Sequence, residues 1–423
     1  MSALLQMLSE HKKGRAVGIC SVCSAHPLVI KATLSHAQRT GGYALIEATS
    51  NQVNQDGGYT GMQPGDFRRL VLELAEEAGL SADKVLLGGD HLGPNCWQSL
   101  PAEQAMEKSE VLIRQYVEAG FVKIHLDCSM SCDGDPVPLS DAIVAERAAR
   151  LCRVAEEAWR RVDGEAPVYI VGTEVPVPGG ATEDLAELEV TAPEAAAATI
   201  EAHYQSFKAL GLDDAWPRVM GLVVQPGVEF DHHKVVDYNP PAAAELSRSI
   251  ESYPYMLFEA HSTDYQTPQN LKRLVEDHFA ILKVGPGVTF AMREALWALD
   301  AIEREWFGDS ASDLRRVVLA EMEREPKYWK SYYASEGNLL LLDKQYSLSD
   351  RVRYYWSRPT VVEAMAVMEK NFREQTPPLT MVSQYLPSQY SAVRSGDITF
   401  DVESIVVHKV QEVLSQYAAA CTE

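Results

Sequence analysis

Eight short apolar runs, many of them rich in β-branched residues, recur along residues 16–285 of the chain. They span residues 16–22, 43–50, 85–91, 122–127, 168–174, 219–225, 256–262 and 280–285. Continuous apolar runs are typical of strands that are buried on both faces of a parallel sheet. Amphipathic helical patterns separate them, for example at 66–78, 101–119, 139–161, 192–209 and 268–277. Eight strand–helix units predict an α/β protein with a (β/α)8 TIM barrel. The rival fold, a doubly wound open sheet, is disfavoured because a dinucleotide-binding fingerprint is missing.

Polar or ionisable residues close each predicted strand. In a TIM barrel the C-terminal strand ends and the loops after them form the active-site mouth. A single residue of this kind could be a hydrogen-bonded part of the core, but burying a whole ring without a ligand would be costly. The ring therefore predicts a functional site. Its candidates for substrate or phosphate binding are Glu47, Asn51, His125, Asp127, Gln225, Ser262, Lys283 and Gly285.

The chain continues well beyond the eighth unit. Residues 288–305 have the pattern of the eighth helix, so the barrel is predicted at 1–305 and a mostly helical extension packed on it at 306–423. This aromatic-rich extension is either a helical cap or an oligomer surface, and an exposed aromatic patch would favour the surface. We expect a homo-oligomer. Within the extension Arg351 is a candidate phosphate ligand, with a salt bridge inside the cap as the alternative.

The net charge and the composition exclude some classes of binding partner. A net charge of −22 argues against nucleic acid and against an anionic membrane surface. A phosphorylated ligand remains possible through backbone N–H groups and one or two basic residues. The sequence has no apolar run of about 20 residues and no signal-peptide core, so we expect a cytoplasmic protein. Seven scattered cysteines argue against a disulfide framework, and free thiols are expected rather than a structural zinc site.

Three strand ends and one following loop carry the residues expected for acid–base and metal chemistry. Asp90 and His91 close the third strand and offer a proton acceptor beside a metal ligand. Glu174 closes the fifth strand and is the second acid–base candidate. His232 follows strand six and His261 closes strand seven. With His91 they predict an open three-imidazole site for a divalent ion that would polarise a substrate carbonyl. Zn²⁺ is the expected ion, with Mn²⁺, Co²⁺, Ni²⁺ and Mg²⁺ as alternatives.

The turn after strand eight is the predicted phosphate site. Phosphate sites in TIM barrels are often built from the loops after strands seven and eight. Ser262 lies in the first of these loops and Gly285 in the second, directly after Lys283. A tight turn is the alternative role for Gly285.

Eight long stretches resemble the accessory subunit of class II D-tagatose-1,6-bisphosphate aldolase, and they cover nearly the whole chain. They are IEATSNQVNQDGGYTGMQP, GGDHLGPNCW, VGTEVPVPGG, VQPGVEFDH, FEAHSTDYQT, ILKVGPGVTFA, YSLSDRVRYYW and SQYLPSQY. The resemblance implies a fold like that of the metal-dependent class II aldolases. It implies that Asp90 is the acid–base group and His91 a metal ligand, and that His261 is a further ligand. At strand six it leaves His232 and Gln225 as alternatives.

The resemblance implies two alternative functions. One is a metal-dependent enzyme that interconverts D-tagatose 6-phosphate and D-fructose 6-phosphate at C4 by a retro-aldol and aldol route. The other is a non-catalytic subunit that stabilises a separate class II aldolase chain. Older naming in this family refers to tagatose-6-phosphate kinases, but the nucleotide-binding glycine motifs of kinases are absent, as is the GxGxxG of an NAD-dependent epimerase. The ionisable ring at the mouth favours the enzyme.

Overall fold

The computed structural model describes residues 2–173, 185 and 188–422. Eight parallel strands close into a barrel in sequential order, with β1 hydrogen-bonded to both β2 and β8. The barrel predicted from the apolar runs is therefore confirmed. The strands are β1 (Ile19–Val22), β2 (Ala44–Thr49), β3 (Val85–Leu92), β4 (Lys123–Leu126), β5 (Val168–Val171), β6 (Val219–Val224), β7 (Leu257–Ala260) and β8 (Ile281–Val284).

Nine α-helices lie in the described residues of the barrel part of the chain. Local signals set their ends: Pro27 opens α2 and Gly41, at φ 71°, closes it, whereas the Ser140 side chain accepts a hydrogen bond from the Ile143 N–H at the start of α5. The helices are α1 (Ala3–Lys12), α2 (Pro27–Thr40), α3 (Pro64–Glu77), α4 (Ala102–Glu118), α5 (Asp141–Trp159), α6 (Pro193–Ala209), α7 (Pro240–Ser249), α8 (Pro268–Glu276) and α9 (Pro286–Phe307).

The lower part of the barrel interior is apolar. Leu45, Leu86, Ile170 and other inward-facing side chains form one buried cluster there. Helix α1 adds Leu4 and Leu8 to the same cluster. Because these side chains fill the N-terminal end of the barrel, polar groups in its interior are confined to the C-terminal half, where the strand ends lie.

Six further helices form the C-terminal extension, and its apolar side chains join the core cluster of the barrel helices. The last helix packs against α2, α8, α9 and strand β1. It therefore takes part in the wall of the barrel, although the boundary at residue 305 stays a prediction. The helices are α10 (Leu314–Arg324), α11 (Gly337–Tyr346), α12 (Pro359–Glu374), α13 (Leu379–Tyr385), α14 (Pro387–Ser395) and α15 (Val402–Cys421).

Two smaller features complete the fold. The short strands Glu229–Phe230 and Val235–Val236 form an antiparallel ribbon after β6. All seven cysteines are free thiols, as expected. None of the described helices combines the length and the apolar character needed to cross a membrane.

Candidate active site

A layer of charged side chains crosses the barrel interior above the apolar cluster. Lys123 Nζ lies 2.6 Å from Glu47 Oε1 and 2.6 Å from Glu259 Oε2, and none of the three side chains has exposed surface. Lys283 Nζ contacts Glu47 Oε2, and Ser21 Oγ donates to Glu47 Oε1 at 2.6 Å. The side chains of a strand alternate between its two faces, so Lys123 and His125 of β4 both point inward. The sequence thus builds this layer from inward positions of four strands.

Glycine at position 88 leaves room for this layer. A Cβ there would lie 2.6 Å from Glu47 Cγ and 2.7 Å from Glu47 Oε1. Burial alone would raise the pKa of Glu47, but Lys123 and Lys283 hold it below its ordinary value. The pKa of Glu259 is held well below its ordinary value by the same two lysines and by His261, again against the effect of burial. Both carboxylates are therefore ionised inside the barrel at neutral pH.

Directly above lies a buried group that could hold a metal ion. It consists of Asp90, His125, Glu259 and His261, each with one donor atom within 4.8 Å of the others. His125 Nδ1 lies 2.9 Å from Asp90 Oδ1, whereas His125 Nε2 is buried and has no hydrogen-bond partner among the described residues. If Nδ1 donates to Asp90 Oδ1, rather than accepting from the His91 backbone N–H at 3.3 Å, Nε2 holds a free lone pair, which is the state that binds metals. Two imidazoles and two carboxylates suit a divalent transition-metal ion.

His91 stands beside this group. Its ring centroid lies 5.2 Å from those of His125 and His261, and its Nδ1 lies 2.8 Å from Asp127 Oδ2. A carboxylate bonded to the remote ring nitrogen is the arrangement that orients metal-binding histidines. Burial alone would lower the pKa of His91, but the charges of Asp90 and Asp127 raise it above its ordinary value. The structure thus brings together three histidines, namely the predicted His91 and His261 together with His125.

Asp90 is the charged residue at the centre of the site. Burial alone would raise its pKa, but His91, Lys283 and the hydrogen bond with His125 hold it well below its ordinary value. Lys283 Nζ lies 2.9 Å from Asp90 Oδ1. The His261 pKa, in contrast, is lowered to about 4 by burial, so this imidazole is neutral at pH 7 and can act as a ligand.

The backbone around the site holds unusual conformations. His91 has φ 48°, Ser262 φ 53° and Tyr265 φ 66°. A left-handed conformation is uncommon in residues other than glycine, and such strain gathers at functional sites. These conformations change the direction of the backbone at the ends of the two strands that carry His91 and His261.

A cavity of about 90 Å³ opens over these groups. Asp90, His91, His261 and Lys283 line it, together with Asn51, Ser262 and Gly285 from the predicted ring. A second cavity of about 490 Å³ adjoins it. The two share the lining residues Cys23, Gln52, Tyr59 and Arg353. Ligand sites commonly measure about 300–1,000 Å³, so the small cavity suits the reacting atoms and the larger one the rest of a substrate.

The turn after β8 already binds a carboxylate. Asp264 Oδ1 accepts hydrogen bonds from Gly285 N at 2.9 Å and from Gly287 N at 2.7 Å. Burial raises the pKa of Asp264 to about 6, although these two N–H groups oppose the shift. The backbone position predicted to bind phosphate is therefore filled by a side chain of the protein itself.

Several predicted residues lie outside the central group. His232 contacts Ser349 Oγ through Nδ1 and the Tyr332 carbonyl through Nε2, each at 2.9 Å, so both of its nitrogens are engaged away from the other histidines. Gln225 Oε1 accepts from the N–H groups of Gly227 and Val228 and so closes its own turn. Glu174 lies outside the described residues. Neither strand-six alternative joins the metal-binding group.

The phosphate candidate in the extension also lies elsewhere. The Arg351 guanidinium stacks on Tyr332, 3.2 Å from the ring centroid, and its Nε donates to the Tyr328 carbonyl. Arg353 and Tyr354 line the small cavity instead. Sequence reasoning missed them, although they stand in the quoted stretch YSLSDRVRYYW. It also missed Tyr59, in IEATSNQVNQDGGYTGMQP, and the interior Lys123.

Comparison with known proteins places the chain in a family. The family model described as D-tagatose-1,6-bisphosphate aldolase subunit GatZ/KbaZ-like matches residues 4–422. A crystal structure described as a probable tagatose 6 phosphate kinase from Sinorhizobium meliloti 1021 is 47% identical, covers 96% of this chain and 100% of its own, and has a TM-score of 0.88.

More distant structures include two enzymes. Fructuronate-tagaturonate epimerase UxaE from Cohnella laeviribosi is 14% identical, covers 96% of this chain and 82% of its own, and has a TM-score of 0.48. Fructose-bisphosphate aldolase (Fba) from Campylobacter jejuni is 15% identical, covers 88% of this chain and 95% of its own, and has a TM-score of 0.44. The family match and the 47% identical structure confirm the resemblance seen in the sequence. This chain belongs to the D-tagatose-1,6-bisphosphate aldolase subunit GatZ/KbaZ-like family.

Proposed function

We propose that the chain is a metal-dependent enzyme that interconverts D-tagatose 6-phosphate and D-fructose 6-phosphate by inverting C4. The observation that carries the proposal is the buried group Asp90, His125, Glu259 and His261 at the barrel mouth, with His125 Nε2 buried and lacking a hydrogen-bond partner among the described residues. A subunit with a purely structural role gains no stability from such a group, because burying ionised side chains is costly.

The donor set favours Zn²⁺ or a similar divalent ion. Of this group, His125, Glu259 and His261 would hold the ion, Asp90 would remain free to move a proton, and Asp127 orients His91 beside them. When bound, such an ion would polarise the C2 carbonyl of the ketose and stabilise the enediolate of the cleaved sugar.

Asp90 is the group placed to move the proton. Its pKa is held well below the ordinary value, so Asp90 is a carboxylate at neutral pH, the protonation state required of the group that accepts the C4 hydroxyl proton. The O–H electrons then form the C4 carbonyl, the C3–C4 bond breaks, and its electron pair passes into the C2–C3 enediolate. The aldehyde turns, C3 adds to its opposite face, and the Asp90 carboxyl returns the proton to the new C4 oxygen. Glu174 stays a predicted second acid–base group.

The substrate's chemistry favours this route over direct removal of the C4 proton. The C4 proton of a 2-ketose is not adjacent to the carbonyl, so direct abstraction of that proton is unfavourable. Cleavage and reformation of C3–C4 avoids this barrier with one acid–base residue and one stabilised enediolate. Lys283, at 2.9 Å from Asp90 Oδ1, contributes a fixed positive charge beside the developing negative charge.

The decisive experiment measures turnover by the purified chain alone. Chelator-treated protein is incubated with tagatose 6-phosphate in the presence of each candidate divalent ion, and fructose 6-phosphate is followed enzymatically. We expect turnover that is lost with a chelator and in Asp90→Asn and His125→Ala, and retained in the matched control His233→Ala, whose imidazole is more than half exposed. Absence of turnover with all of the ions, or full turnover in Asp90→Asn, would contradict the proposal.

The second candidate is a stabilising subunit for a class II aldolase chain. Helix α11 favours it, because Leu339, Leu341 and Leu342 are about half exposed on one short helix. Exposed apolar patches of this kind mark interaction surfaces. Co-expression with an aldolase chain tests it: a stable complex that is lost in the double variant Leu339→Ser/Leu342→Ser, together with no turnover by this chain alone, would establish the subunit. A homo-oligomer that the same variant dissociates would assign the surface to self-association.

A further inference from the structure

One cation from the C-terminal extension reaches the barrel mouth. Arg353 belongs to the single-turn 3₁₀ helix Arg351–Tyr354, and it lines both the 90 Å³ cavity and the 490 Å³ cavity. An anion bound to Arg353 would therefore lie at the junction of the two cavities. This is where the far end of an extended sugar chain would leave the reacting centre.

The hydrogen bonds of Arg353 hold its guanidinium without using all of it. Nη1 donates to the carbonyl oxygens of Ser349 and Asp350, and Nη2 donates to the Tyr354 hydroxyl at 3.0 Å. Among the described residues Nε has no hydrogen-bond partner, and one Nη2 proton is also unused. In any guanidinium, Nε–H and one N–H of Nη2 lie side by side along one edge. That edge matches two oxygens of a phosphate or a carboxylate.

No carboxylate of the described residues forms a close ion pair with this guanidinium, although the charges of Asp350 and Asp264 act on it from a longer distance. The carboxylate of the neighbouring Asp350 lies 3.7 Å from Arg293 Nε and accepts from Thr289 Oγ1 at 2.5 Å, and it forms no ion pair with Arg353. The phenol rings of Tyr59 and Tyr354 flank the site and pack edge to face at 4.8 Å. A guanidinium that is held by hydrogen bonds, has no close ion pair among the described residues and lines two cavities favours an anion site.

The alternative place for an anion is already taken. The N–H groups of Gly285 and Gly287, at the turn between β8 and α9, both donate to Asp264 Oδ1. A phosphate at this turn would have to displace that carboxylate, and it would meet a negative charge while Asp264 is ionised. Lys283, which also lines the small cavity, is paired with Glu47 and Asp90. Arg353 is therefore the better candidate for the anion of the substrate.

We propose that Arg353 is the residue that selects phosphorylated ketoses, by holding the substrate phosphate through its Nε and Nη2 edge. This inference rests on the proposed function for the identity of the sugar. It assigns to the C-terminal extension a direct part in substrate recognition, through Arg353 in place of the predicted Arg351.

Binding measured by calorimetry tests the assignment without requiring turnover. The probes are tagatose 6-phosphate, tagatose and inorganic phosphate, titrated into the metal-loaded full-length chain. We expect Arg353→Met to weaken tagatose 6-phosphate binding by about 10- to 150-fold, the range for a charge-assisted bidentate contact, with tagatose binding changed by less than about twofold. Arg353→Lys retains the charge but loses the bidentate geometry, so its affinity for tagatose 6-phosphate should lie between those of the wild type and Arg353→Met.

The matched control is Arg351→Met, two residues away, which we expect to leave the affinity ratio of tagatose 6-phosphate to tagatose unchanged. Arg353→Lys also covers the case in which Arg353→Met fails to fold. Equal weakening of both sugars in the Arg353 variants would overturn the assignment, as would an unchanged affinity for tagatose 6-phosphate.

The two proposals fail in different ways. Phosphate-dependent binding through Arg353 without turnover would refute the proposed epimerase activity but support Arg353 as the phosphate ligand. Turnover, together with an affinity for tagatose 6-phosphate that does not depend on Arg353, would support the epimerase activity and refute Arg353 as the phosphate ligand. If neither tagatose 6-phosphate nor inorganic phosphate binds to the wild-type chain, the assignment of Arg353 as the phosphate ligand is refuted.

Discussion

Replacing Lys123 by methionine tests whether the charged layer inside the barrel depends on its central cation. The ammonium group lies 2.6 Å from one oxygen of Glu47 and 2.6 Å from one oxygen of Glu259, and all three side chains are fully buried. Methionine has a similar length and is apolar, so the change removes the charge with little loss of volume. It leaves two buried carboxylates with Lys283 as the nearest remaining ammonium group.

The magnitude follows from these distances. At an effective dielectric constant of about 20, a pair of unit charges 2.6 Å apart attracts by about 6 kcal/mol, before the cost of removing both groups from water. That desolvation cost amounts to several kcal/mol for each ion. Removing one partner of a buried pair therefore destabilises a protein by about 3–5 kcal/mol net. We expect Lys123→Met to lower the free energy of unfolding by this amount.

Urea unfolding of the metal-free protein, followed by circular dichroism, measures the effect. The matched control is Lys370→Met, whose side chain is exposed, and we expect a change below about 0.5 kcal/mol. Adding Glu47→Gln to Lys123→Met removes one stranded charge and should recover part of the loss. A loss below about 1 kcal/mol in Lys123→Met would refute the reasoning, because the carboxylates would then be neutral or solvated in the folded protein.

Two further predictions concern single residues. Burial raises the Glu229 pKa from 4.5 to about 7, so the folded state keeps a proton that the unfolded state loses between these values, and stability falls as the pH rises through this window. The free energy of unfolding of Glu229→Gln should therefore equal that of the wild type near pH 4.5 and exceed it by roughly 3 kcal/mol at pH 8. Thermal melts at the two pH values measure this difference. If the two proteins differ by the same amount at both pH values, the raised pKa is excluded. Gly93→Ala should prevent folding or abolish metal binding, because the Cβ of an alanine at this position would lie 1.8 Å from the Asp127 carbonyl oxygen. A variant with an unchanged melting temperature and unchanged metal binding would contradict this.

Much of the barrel could be read from the sequence because its signal is local. Strands buried on both faces need continuous apolar runs, and β6 (Val219–Val224) is buried at every position. The ends were less accurate: the first run was predicted at residues 16–22, but β1 begins at Ile19. The role of α15 could not be read in this way. Its contact with β1 joins residues about 400 positions apart along the chain, and no local pattern encodes such a pairing.

The site was only partly predictable for the same reason. Asp90, His91 and His261 stand at strand ends, where the topology of a TIM barrel brings residues together. His125 was expected to bind substrate, yet the period of two along β4 places it inward with Lys123, so its place in the metal-binding group was available from the sequence. Arg351 and Arg353 differ by two residues of a 3₁₀ helix, which turns about 240° over that step. The choice between them depends on packing alone.

The charges at the barrel mouth explain how a protein of net charge −22 can bind an anion. Glu47, Asp90, Asp127 and Glu259 supply four carboxylates there, against the two ammonium groups of Lys123 and Lys283, so negative charge is in surplus. A divalent ion bound to this group would add two positive charges and offset that surplus. In a buried site of low dielectric this local balance outweighs distant surface charges, which solvent and salt screen. We therefore expect a phosphorylated sugar to bind the metal-loaded protein more tightly than the metal-free protein, even where its phosphate does not touch the ion.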